Sequence, residues 1–133
     1  MNKLPNLISH DIPEIYYECK KHFGVNWSDV IITYYPHIYA EKDINDFKLV
    51  HELQHISQQE KYGVKEWWAR YFQDKDFRLS QELEAYRQES AFIMDKVKDR
   101  EYRFKLLTQI AKDLSSSVYG EMIDFERARK LLK

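Results

Sequence analysis

With 133 residues, 44% of them apolar and 32% charged, the chain has the size and composition of one ordinary globular domain, which excludes a disordered polymer. A formal net charge of −1 provides no global attraction to nucleic acid or to an anionic membrane. The single cysteine, Cys19, excludes an internal disulfide and suits a reducing cytoplasm. The opening MNKLPNLISH lacks the apolar centre of a signal peptide, and no run of about 18 apolar residues marks a membrane span.

Only three glycines and three prolines punctuate the chain, so long helices with few turns are expected. Residues 12–23 read as a first helix, with Asp11 as cap, Pro13 in the first turn and Gly24 at the end. Cys19 falls within it as a packed small residue. Residues 29–40 are the one stretch rich in β-branched and aromatic side chains. VIITYY reads as a strand that Pro36 ends or confines to an edge, and HIYAE as a second short strand, together a small antiparallel sheet.

Residues 44–62 read as a helix with Asp43 or Asn45 as cap, Gly63 as its stop, and Leu49, Val50, Leu53 and Ile56 as its apolar stripe. Residues 64–72 form a further helical piece whose two tryptophans are core. Ser80 is placed as the cap of a helix over 81–97, and helices over 100–115 and 120–132 complete a helical C-terminal part from about 98. Residues 96–133 hold ten Lys and Arg against six Asp and Glu, a basic surface read mainly as a solvated helical face. The expectation is a single domain over 1–133, α+β and predominantly α-helical.

The helix over 44–62 contains HELQH, with His51, Glu52 and His55 in the pattern His-Glu-x-x-His. Histidines four apart project from one helix face, so their imidazoles can share one metal ion. The intervening glutamate faces the same opening and can take the proton of a water that the metal has acidified. A hydrolytic zinc site needs three protein ligands and one open position. The remaining histidines, His10, His22 and His37, all precede the motif, so the third ligand is expected to be a carboxylate. SQELEAYRQE, residues 80–89, offers Glu82, Glu84 and Glu89. Glu82 and Tyr86 share a helix face, whereas Glu84 is turned by about 200° from Glu82, so only one of the two glutamates can ligate.

HELQH followed by ELEAY resembles a gluzincin, a zinc peptidase with two His and a Glu as ligands. It is similar to minimal bacterial and phage metallopeptidase domains, including the ImmA/IrrE group. In these a second helix carries Glu-x-x-Ala followed by Asn or Asp; Glu82 and Ala85 match the first two positions. The resemblance covers roughly residues 47–90. It implies a minimal zincin-like fold, Zn2+ held by His51, His55 and Glu82, and Glu52 as the catalytic base. It also implies a protein or peptide substrate of narrow range and a cytoplasmic setting in a bacterial or phage-infected cell. The chain departs from the pattern at Tyr86, where relatives carry the Asn or Asp that orients the first histidine. Tyr86 and Arg87 are the candidates for orienting that ring or stabilising the oxyanion, with Tyr102 and His37 also open for the latter. The alternatives are a non-catalytic zincin-like binding protein with a structural metal, which His37 could close as fourth ligand, or a protein without metal that docks through its basic tail.

Overall fold

Strand preference and helix caps divide the chain much as its residue types suggest. The computed structural model describes residues 7–133; residues 1–6, the first part of the stretch read as lacking a signal peptide, lie outside them. Strands β1 (Ile8–Ser9), β2 (Ile31–Tyr34) and β3 (His37–Ala40) form one sheet in the order β1-β3-β2. β2 and β3 make the expected antiparallel hairpin, in register from Ile31 opposite Ala40 to Tyr34 opposite His37. Pro36 sits in the tight turn and β2 is an edge strand, as Pro36 required. The sheet is nevertheless mixed, because β1 adds in parallel to β3, with Ile8 opposite Ile38. Two residues are too few to leave an alternating pattern, which is why β1 escapes a reading by periodicity.

Among the described residues six α-helices supply most of the structure: α1 (Ile15–Phe23), α2 (Asp46–Tyr62), α3 (Val64–Gln73), α4 (Lys75–Lys96), α5 (Arg100–Leu114) and α6 (Phe125–Leu131). The fold is therefore predominantly α-helical α+β. α1 starts later than expected, with Glu14 rather than Asp11 at its N-terminus, and ends at Gly24 in the left-handed conformation. Asn45 caps α2, its side chain accepting from the Lys48 N–H. α4 begins earlier than expected: Asp74 caps it through the Phe77 N–H, and Ser80 lies inside it, donating to the Phe77 carbonyl. Asp74 offered the same capping chemistry six residues upstream, with Phe77 as the first buried side chain of the new helix. The expected helix over 120–132 contracts to α6, preceded by a 3-10 turn over Ser117–Tyr119.

Two apolar clusters hold these elements. One joins α1, β2, α3 and the start of α4 around Cys19, Ile32, Trp67, Trp68 and Phe77. The other joins α4, α5 and α6 around Ile93, Ile110, Leu114 and Ala128. α2 lies between them, against β2, α3 and α4. Its expected stripe of Leu49, Val50, Leu53 and Ile56 is only half-buried. The face it buries is polar: His51, Glu52, His55, Gln58 and Gln59. Such an inversion costs desolvation unless every group finds a partner, and it marks a place where folding alone does not explain the sequence.

Candidate metal centre

α2 and α4 cross so that the two histidines of HELQH meet Glu82. His51 Nε2 and His55 Nε2 lie 3.2 Å apart, and Glu82 Oε1 lies 3.1 Å from the first and 3.2 Å from the second. The triangle is nearly equilateral and closed to solvent, with His51, His55 and Glu82 only 2%, 4% and 3% exposed. Three lone pairs aimed at one point repel unless a proton or a cation sits among them. A tetrahedral ion with ligand bonds of about 2.0–2.1 Å spaces its ligand atoms about 3.3 Å apart. The observed separations match that spacing, so the buried group of His51, His55 and Glu82 can hold a metal ion.

Two of the three members are tied from behind by hydrogen bonds. His55 Nδ1 faces Gln58 Oε1 at 2.7 Å, and the Gln58 amide donates onward to the Gln81 carbonyl and to Glu84 Oε1. Glu82 Oε2 accepts a 2.6 Å hydrogen bond from the Tyr71 hydroxyl, which leaves Oε1 alone to face the histidines. His51 packs against the Tyr86 ring, centroids 4.2 Å apart, and His55 against Trp67.

Glu52 stands beside the triangle without joining it. Its Oε2 is 3.9 Å from His51 Nε2, and its Oε1 accepts a 2.8 Å hydrogen bond from the Thr33 hydroxyl of β2. The group lines a cavity of about 210 Å³, whose walls also include Lys48, Tyr86, Tyr119, Val30, Ile31 and Trp68.

The charges in the centre are coupled. Burial alone would lower the imidazole pKa of His51, but Glu82, Glu89 and Glu52 together raise it to about 10. His55 also moves upward, burial opposing and Glu82 prevailing. Burial likewise resists ionisation of Glu82, yet His55 and His51 hold its carboxyl well below the usual carboxylate range. For Glu52 burial wins, and its pKa rises above the ordinary value although both histidines pull it down. Without a metal, the two imidazoles and Glu82 thus favour each other's charged forms against the cost of burial.

The two glutamates left open by spacing are now separated. Glu82 is buried in the triangle; Glu84 is exposed, holding Gln54 and Gln58. Tyr86 is buried with its ring on His51 and its hydroxyl 2.6 Å from that of Tyr119. Arg87 is exposed, its guanidinium donating to the Leu131 carbonyl at the end of α6. Tyr102 is exposed on α5, and His37 lies at the start of β3, outside the triangle. Cys19 is buried as expected, and burial pushes its thiol up to about 12.

Gln58, Thr33, Tyr71 and Tyr119 were not found from the sequence. Gln58, three residues after His55, carried a signal in its helical spacing; the other three come from distant elements and carried none. No protein-family model matches this chain, no curated protein matches it, and no solved structure matches it.

Proposed function

We propose that this protein is a zinc-dependent peptidase, a minimal zincin-like domain similar to the ImmA/IrrE group, acting on a narrow set of protein or peptide substrates. The observation that supports it most is the triangle of His51 Nε2, His55 Nε2 and Glu82 Oε1 with Glu52 beside it. Three protein ligands leave one tetrahedral position open, as hydrolytic zinc sites do. Two imidazoles and one carboxylate are a donor set that zinc accepts readily. When bound, zinc supplies Lewis acidity, which acidifies water and polarises a carbonyl.

The remaining work falls to the chain. Glu52 accepts the proton of the attacking water at Oε2 and returns it to the leaving amine, while Thr33 holds Oε1 and fixes the carboxylate plane. The Gln59 amide already pairs with the outward edge of β2, donating to the Thr33 carbonyl and accepting from the Tyr35 N–H. An extended substrate is thereby directed toward Ile31, which lines the cavity.

The depth of the centre favours a second reading, a zincin-like binding protein in which the metal is structural. Cleavage of an unfolded protein substrate by wild type and Glu52→Gln separates the two. A peptidase loses about 10²–10⁴-fold of its rate in the variant while keeping its metal. Equal rates in both proteins, or zinc-loaded wild type that cleaves nothing, would favour the binding protein.

A further inference from the structure

The three ligating groups are not supported alike. His55 is held by Gln58 at 2.7 Å and Glu82 by Tyr71 at 2.6 Å. His51 Nδ1 lies 3.2 Å from Glu89 Oε1, but among the described residues neither atom completes a hydrogen bond. Both side chains are about 3% exposed. A buried donor and a buried acceptor that face each other unmatched need a reason.

Their placement follows from sequence. Glu89 stands seven residues after Glu82 on α4, two helical turns on, and so returns to the same face. Its second oxygen, Oε2, is taken by Lys48 Nζ at 3.3 Å, and Lys48 also reaches Asp113 of α5 at 3.7 Å. Tyr86 does not serve Nδ1, because its hydroxyl is engaged by Tyr119. An imidazole that ligates through Nε2 must carry its proton on Nδ1, and that N–H requires an acceptor.

We propose that Glu89, fixed by Lys48, is the positioning residue for His51, accepting its Nδ1–H when Nε2 binds the metal. The inference rests on the metal-site reading and goes beyond it. It places the orienting carboxylate one turn beyond Tyr86 and links the site to α5 through Lys48 and Asp113.

The test is a competition titration with zinc and a chromophoric chelator on wild type, Glu89→Ala and Glu89→Gln, with helicity checked by circular dichroism. Loss of the acceptor weakens metal affinity about 10–100-fold in Glu89→Ala. Glu89→Gln lies in between, since its amide oxygen still accepts. A merely structural role would lower the melting temperature and leave the zinc dissociation constant unchanged. In the cobalt-loaded wild type, His51 should show a hyperfine-shifted, slowly exchanging Nδ1 proton, a readout that needs no variant to fold. Equal zinc affinity in a folded Glu89→Ala, or a rapidly exchanging His51 proton in the cobalt form, overturns this inference alone. A wild type that takes up neither metal overturns it together with the proposed function.

Discussion

Tyr71 shows how one side chain shapes the centre. By donating to Glu82 Oε2 it satisfies half of a buried carboxylate and presents the other half to the histidines. Its own hydroxyl pKa is raised well above the ordinary value, by burial first and then by Glu82, so it stays a donor at any working pH. Tyr71→Phe keeps the ring but strands a buried carboxylate oxygen. The expected cost is about 1–3 kcal/mol of stability, read from denaturant unfolding of the metal-free protein. An unchanged unfolding midpoint would mean that Glu82 finds another donor. Nothing in the spacing of residues 64–72 distinguishes Tyr71 from its aromatic neighbours, since a phenol that bonds and a phenol that packs look the same in sequence.

At the scale of elements, α2 was legible where local rules govern it. The Asn45 cap and the Gly63 stop are chemical signals, and both operate. Gly63 has φ 87°, a conformation side chains resist, although a Cβ there would meet nothing within 4 Å. Gly63→Ala therefore costs backbone strain alone, about 1 kcal/mol or more, and should lower the melting temperature without changing metal content. The inward face of α2 was misread, because Leu49, Val50, Leu53 and Ile56 gave a convincing apolar stripe while the buried positions went to polar residues of the motif. HELQH itself was readable, and so was a downstream carboxylate. The resemblance pointed to Glu82, but spacing alone left Glu84 open, because a helical wheel of one segment does not contain the crossing of α2 and α4. Ser80 failed as a cap because Asp74 supplied an equivalent oxygen six residues earlier, three before a residue the core could use.

For the whole molecule, the buried charges set how stability and metal uptake depend on pH. Glu82 has a depressed pKa, so its contribution is present above the unfolded value of about 4.3 and is lost as pH falls through the folded value. His51 is raised to about 10, so its contribution is complete below the unfolded value of about 6.5 and is lost as pH rises toward 10. The metal-free protein should therefore be most stable in mildly acid solution. Metal ligation instead requires neutral imidazoles and displaces their protons, so affinity rises with pH. Zinc should raise the melting temperature more at pH 8 than at pH 6, a difference that calorimetry at fixed zinc can measure; an equal or reversed increment would contradict the coupling. No described helix is long and apolar enough to cross a membrane.

The central claim is that α2 and α4 together build one metal site. Its most direct test is zinc per chain by elemental analysis, on protein purified without a metal-affinity tag, with Glu82→Ala treated identically. The expected result is one zinc per wild-type chain and a clear loss in the variant. A wild type that carries no metal and takes none up on adding zinc would contradict the claim and leave the triangle a buried imidazole–carboxylate cluster.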